Sequence, residues 1–233
     1  MGRRLAALIR HGDYHQMPDA PSAHQPFPLN ASGEQHAERA AGLIEKFQQQ
    51  IDCELVPHID SSQMLRAWQT ADIISDIIGR KSSLELKIEC FDELAERCVG
   101  SAANLTARQI EKIIHDDPRY AELPPQWKSD SKYRLPLQGA ESLLEAGERV
   151  AGHLLRRMSA LPADGADRVK LFVGHGAAFR HAAYVLGVLK YDDIARLSMY
   201  HGQPVILEFV EDGCWRHIAG EWKIRASHST FKD

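Results

Sequence analysis

The sequence predicts an α/β fold, a mostly parallel sheet with helices on both faces. Three observations predict it. Short apolar runs alternate along the chain with amphipathic segments of helical period, the pattern of β-α units around a parallel sheet. Two of these runs, residues 5–9 and 169–173, read as buried strands, and each stops abruptly at a histidine beside glycine: Arg10-His11-Gly12 and Gly174-His175-Gly176. Apolar runs on either side of Glu211-Asp212-Gly213 read as a closing hairpin, which adds an antiparallel edge.

A chain of 233 residues is ample for a real core, and residues 1–233 are expected to form one domain with residues 92–138 as an insertion. At 44% hydrophobic and 26% charged residues, the composition is that of an ordinary soluble globular protein. A net charge of −4 offers neither the basic footprint of a nucleic-acid binder nor an acidic tail. The apolar stretch behind Met1-Gly2-Arg3-Arg4 is interrupted at Arg10, too early for a signal peptide or a membrane span. The four cysteines (Cys53, Cys90, Cys98 and Cys214) are scattered and read as reduced thiols in a cytoplasmic protein. Twelve histidines are dispersed without zinc-ligand spacing, so no metal or other cofactor is expected.

The first strand leads into a long Pro-rich loop, residues 13–29, of a length that is usually functional. Asn30 is a good helix N-cap, and Ala37, Ala40, Ala41, Ile44 and Phe47 follow at helical spacing. Residues 53–59 read as a second strand, with Pro57 demoting it toward an edge, and residues 60–62 as a turn. A helix is predicted over 64–78, stopped by Gly79. Alternation over 84–91 predicts a third strand. Residues 92–138 hold one short helix, 106–115, with prolines and charges, and read as an insertion lying over the sheet. A clear amphipathic helix spans 142–161, with Leu143, Leu144, Ala146, Val150, Leu154 and Leu155 inward, and a further helix spans 177–189.

An open α/β sheet holds its ligands at the carboxyl ends of its strands. Four consecutive strand ends would deliver Arg10 and His11, Arg66, a glutamate of Glu93-Leu94-Ala95-Glu96, and His175 to one edge. Arg offers a planar fork of donors for phosphate, and His a nitrogen that serves as nucleophile or base. The helix start behind His175 favours an anion. Each residue alone reads as ordinary surface charge or a capping group; together they suit a phosphoryl group.

These elements resemble the histidine phosphatase superfamily, also called the phosphoglycerate mutase-like family. Arg10-His11-Gly12 matches its signature, and residues 29–37 resemble its L-T-x-x-G-x-x-Q-A helix start. Ser61-Ser62 through Arg66-Ala67-Trp68-Gln69-Thr70-Ala71 matches S-S-x-x-x-R-A-x-Q-T-A. Glu96-Arg97-Cys98-Val99-Gly100, Gly139-Ala140-Glu141-Ser142 and Gly174-His175-Gly176 follow in the family's order. The resemblance implies a three-layer α/β/α sandwich with residues 92–138 as a substrate-facing cap. It implies that His11 is the nucleophile and becomes phosphohistidine, and that Arg10, Arg66 and a protonated His175 hold the phosphate. Glu96 would be the proton donor, with Glu93 or Asp92 as fallback. Cationic neighbours would keep His11 neutral for attack, and the built-in cations make a metal unnecessary.

The mutases of this family resemble R-H-G-E-S-x-W-N at the opening, where this chain has Met17 in place of the Asn and only scattered cations, Lys128, Lys132 and Arg134, in the cap. Water is therefore the expected phosphoryl acceptor, and a small phosphorylated molecule the expected partner. The alternatives are a phosphoglycerate mutase-type transfer, a phosphatase acting on a phosphorylated protein, and a non-catalytic phospholigand binder. The sequence leaves the oligomeric state open.

Overall fold

The structure is a computed structural model that describes residues 2–20, 24–82, 84–162, 164–210 and 213–225. The elements run β1 (Arg4–Arg10), α1 (Ala31–Ile51), β2 (Glu54–Ser62), α2 (Leu65–Ser82), β3 (Lys87–Phe91), α3 (Ala107–Asp116), α4 (Leu143–Ser159), β4 (Arg168–Gly174) and α5 (Gly176–Val185). They continue with α6 (Tyr191–Arg196), β5 (Leu197–Met199), β6 (Val205–Phe209), β7 (Trp215–Ala219) and β8 (Trp222–Ile224). The main sheet has the order β3-β2-β4-β1-β6-β7, and β5 pairs with β8 in a two-stranded sheet. Strands β3, β2, β4 and β1 are mutually parallel, while β6 and β7 add the antiparallel edge.

Both faces of the sheet are covered, and the two-residue period of the strands decides which core each side chain joins. Leu5, Ala7 and Ile9 of β1 pack with Ala40, Ile44, Ala67 and Ile74 of α1 and α2. Ala6 and Leu8 point the other way, toward Val150, Leu154, Phe179 and Ala182 of α4 and α5. This is the expected α/β/α sandwich. Asn30 caps α1 by accepting from the Gly33 N–H, and Ser142 caps α4 in a reciprocal box with Glu145. Residues 92–138 carry a small core of their own, with Val99, Ala102, Ile110, Trp127 and Leu135.

Several boundaries differ from the sequence reading. Pro57 lies in an inner strand, at a shift in the β2–β4 register between Leu55 and Ile59 that absorbs its missing N–H. Asp60, Ser61 and Ser62 are not a turn; they are the last residues of β2, paired with β3. Gly79 does not stop α2, which runs on to Ser82, because a helix tolerates an interior glycine at modest cost. Leu155 faces outward, 40% exposed. The expected hairpin is present as β6 and β7, but Glu211 and Asp212 of its turn lie outside the described residues. Among the described residues, no helix is long and apolar enough to cross a membrane.

The end of β1 and the start of α1 approach so closely that neither admits a Cβ. One on Gly12 would overlap the Gly33 carbonyl, and one on Gly33 would overlap the Asp13 carbonyl. Gly12 is thus required by the close approach of these two backbones. Gly33→Ala is expected to lower unfolding free energy by about 3 kcal/mol, because only backbone could give way. Gly42, exposed in the same helix with open space where a Cβ would stand, is the control: Gly42→Ala should raise stability by about 0.5–1 kcal/mol. Urea denaturation of both variants checks the pair.

Candidate active site

Parallel strands β2, β4 and β1 lie side by side, so their carboxyl ends place Ser62, His175 and His11 at one edge. The His11 N–H donates to the Gly174 carbonyl at 3.0 Å, which ties the two strand ends together. The His11 and His175 rings are 5.0 Å apart, centroid to centroid. His11 Nδ1 is 2.6 Å from the Gly12 carbonyl, which can only accept. The ring proton therefore sits on Nδ1, and Nε2 keeps a lone pair.

Arg66 joins the histidines. It is 1% exposed, in the first turn of α2. Its Nε donates to His11 Nε2 at 3.1 Å, one terminal nitrogen to the Gln25 carbonyl at 3.1 Å, and the other to His175 Nδ1 at 3.3 Å. The Tyr14 ring lies under the guanidinium at 4.4 Å. Since His175 Nδ1 accepts from arginine, its proton is on Nε2, which donates to Ser62 Oγ at 2.9 Å. Arg10 is buried alongside and donates to the Met199 carbonyl at 3.0 Å. A Cβ on Gly176 would lie 2.9 Å from Arg10 Cδ, which is why glycine follows His175.

Burial and the Arg66 charge hold both His11 and His175 well below the ordinary imidazole value. For His11 this matches the expectation. For His175, expected as a cation against phosphate, burial first and the Arg66 charge second favour the neutral ring.

Glu96 is buried, and its carboxylate accepts from the Arg97 N–H at 2.9 Å and the Ala177 N–H at 3.2 Å, at the start of α5 just behind His175. Glu93 pairs outward with Arg156, and Asp92 is exposed, so neither of these fallbacks joins the cluster. Arg10, His11, Arg66, Glu96 and His175 are thus gathered at one end of the sheet.

The structure also explains positions that the motifs contained without assigning. Thr70 Oγ1 donates to the Arg66 carbonyl at 2.7 Å and accepts from the Gly12 N–H at 3.0 Å, binding α2 to the end of β1. Gln69 accepts from the Leu29 N–H at 2.8 Å and anchors the far end of the Pro-rich loop. His201 was not a candidate. Its Nδ1 donates to the His11 carbonyl at 2.6 Å, and its ring stacks on His36. No local pattern announced it, because it reaches the site from the far end of the chain. Met17 is exposed. Among the described residues, no group of three or more His, Cys, Asp or Glu side chains could hold a metal ion.

The family model of the histidine phosphatase superfamily (branch 1) matches residues 6–219, nearly the whole chain. The chain belongs to the histidine phosphatase superfamily. Solved structures agree on the fold. A protein described as mycobacterial hydrolase 2 is 22% identical, with a TM-score of 0.69 over 97% of this chain and 94% of that one. The mycobacterial glucosyl-3-phosphoglycerate phosphatase is 21% identical, with a TM-score of 0.66 over 95% of this chain and 97% of that one. Phosphoglycerate mutase from Bacillus anthracis is 17% identical, with a TM-score of 0.66 over 94% of this chain and 92% of that one. No curated protein matches the sequence significantly.

Because the fold buries several imidazoles, the protein should lose stability in acid. Burial lowers His181 to about 4 and His201 to about 3, against an ordinary 6.5. Below pH 6.5 the unfolded chain binds protons that the folded chain refuses, so stability is full above that value and falls as pH drops. Each such histidine costs about 1.4 kcal/mol per pH unit between 6.5 and its folded value. Urea midpoints measured from pH 7.5 to 5 should fall steadily; a flat profile would mean that these rings charge within the fold.

Proposed function

We propose that this protein is a phosphomonoester hydrolase working through a phosphohistidine on His11. The observation that carries the reading is the 2.6 Å contact from His11 Nδ1 to the Gly12 carbonyl, which leaves Nε2 as an unprotonated nucleophile. Nε2 attacks phosphorus, the ester P–O bond breaks, and the leaving oxygen takes the proton of the Glu96 carboxyl. Glu96, now a carboxylate, takes a proton from water. The water attacks phosphorus, and the N–P bond breaks to release phosphate and neutral His11. Arg10, Arg66 and His175 hold the equatorial oxygens. No step is assigned to a metal.

A phosphate entering beside Arg66 replaces the Gln25 carbonyl and the imidazole lone pairs as its acceptors. His175 Nδ1 is then freed to take a proton and donate to phosphate. Water is favoured over a second substrate hydroxyl as acceptor, because the three cations Lys128, Lys132 and Arg134 are engaged elsewhere. Arg134 pairs with Glu145 at 3.2 Å, Lys132 lies over Tyr191 at 5.4 Å, and Lys128 over Trp127 at 5.7 Å. The structurally similar glucosyl-3-phosphoglycerate phosphatase forms complexes with inorganic phosphate and with VO3, which supports an oxyanion as a ligand of this protein. Small phosphorylated metabolites are the substrate class we infer.

Hydrolysis of 4-nitrophenyl phosphate with EDTA present, over pH 4 to 8, tests the reading. Wild type should turn over, and His11→Ala should lose roughly 10³-fold or more. Activity that survives in His11→Ala, or a strict Mg²⁺ requirement, would overturn it. Phosphate binding should also take up a proton near pH 7.5, where free His175 is neutral, so affinity for the dianion strengthens as pH falls. Calorimetry in buffers of different ionisation enthalpy measures this uptake, which His175→Gln should abolish.

A further inference from the structure

Glu96 sits on a short connection that Leu94, fully buried, anchors in the core. Residues 92–98 leave the end of β3, turn once, and pass in front of α5. Beyond that anchor, one side chain from α4 gathers the backbone of the segment. A terminal nitrogen of Arg149 donates to three carbonyls: Asp92 at 3.2 Å, Glu93 at 2.8 Å and Ala95 at 3.1 Å. The other edge of the same guanidinium grips Glu141, at 2.6 Å from its second terminal nitrogen and 3.3 Å from Nε. Glu141 in turn holds the other side of Glu96. Its carboxylate accepts from the Cys98 N–H at 3.0 Å, and its own N–H donates to the Cys98 carbonyl at 2.9 Å.

We infer that Glu141 and Arg149 form a clamp that positions Glu96 for proton transfer to the leaving group. The inference rests on the reading of Glu96 as the acid. Residues 92–95 are fixed by Arg149 and Cys98 by Glu141, so the two residues between them, Glu96 and Arg97, have little freedom. The Glu96 carbonyl is held as well, 3.1 Å from His24 Nε2. Both clamp residues are about a quarter exposed or less, at 25% for Arg149 and 20% for Glu141. Arg149 is the donor to the Glu93 and Ala95 carbonyls and a second donor to that of Asp92, which already accepts from the Ala95 N–H at 3.0 Å. Neither clamp residue touches His11, Arg66 or His175 by any hydrogen bond described above; they are positioning residues, not catalytic ones. A carboxyl displaced by 1 Å from its proton acceptor can cost about 10²-fold in rate.

A series of phosphate esters separates this role from a merely structural one. The 2,4-dinitrophenolate group departs without a proton, whereas phenolate and above all an alkoxide need one. Comparing kcat/KM isolates the steps up to leaving-group release. For Arg149→Met and Glu141→Gln, a loss of about 10- to 100-fold is expected with phenyl phosphate and glycerol 2-phosphate, with less than about 3-fold loss on 2,4-dinitrophenyl phosphate. Glu96→Gln should show the same pattern more steeply, and Arg149→Lys should recover part of the loss. Equal losses across all esters would assign the pair to general folding or to the Arg149 charge acting on His175, and would overturn the inference. Unchanged rates in both variants, or a Glu96→Gln loss blind to the leaving group, would overturn it too. Wild type failing on every ester would instead sink the phosphatase reading itself. Glu141→Gln is nearly isosteric and removes the carboxylate that holds the Arg149 guanidinium while keeping the backbone contact to Cys98, so it breaks the clamp in a folded variant even where Arg149→Met does not fold.

Discussion

The buried guanidinium of Arg66 is the constraint on which this site depends. A cation taken out of water is expensive, and it is tolerated only where all its surroundings are acceptors or π-faces. Here two imidazoles, a loop carbonyl and a tyrosine ring surround it. That requirement fixes the rest. The two histidines must be neutral and must present lone pairs, which sets both tautomers, one through the Gly12 carbonyl and one through Ser62. It fixes the Pro-rich loop, whose Gln25 carbonyl closes over the guanidinium. It also prepares the site for an oxyanion, which offers the same kind of acceptors with added negative charge.

A second buried charge system lies within the fold, one residue before the Ser61-Ser62 strand end. Asp60 is fully buried and meets Lys170 at 2.6 Å, Arg157 at 2.7 Å and His153 at 2.9 Å. Burial alone would raise its carboxyl, but the donors from His153, Lys170 and Arg157 outweigh it and hold it below the ordinary value. The alternation of the strands explains the meeting. Lys170 points to the α4 side of β4, as does its neighbour Phe172, which pairs in register with Asp60. This network pins β2 to β4 and α4, so Ser62, which orients His175, stands on a rigid strand end rather than on a loop.

Close backbone packing completes the scaffold. Gly12 and Gly33 make room for backbone, and Gly176 for the Arg10 side chain, rather than supplying unusual dihedrals. Thr70 and Gln69 then tie α2 to the strand end and to the loop. The motif around Arg66 is therefore a set of connections around one cation: Ser62 to His175, Arg66 to both rings, Gln69 to Leu29 and Thr70 to Gly12.

The alternation of apolar runs with helical segments, and the two histidines flanked by glycine, were enough to determine the layered α/β class, the parallel core strands and the family. Arg10, His11, Arg66 and His175 were legible because each closes or follows a strand in a short local pattern. The cap at Asn30 was legible for the same reason. What depended on long-range placement was not. Pro57 looked like an edge residue, since the register shift that accommodates it belongs to the neighbouring strand. Glu96 was preferred to Glu93 and Asp92 only through the family resemblance; its burial beside the Ala177 N–H depends on a helix far along the chain. His201 carries no motif, and the neutral state of His175 follows from desolvation beside Arg66. Tautomers, burial and charge balance are properties of neighbours distant in the chain, and only the tertiary structure decides them.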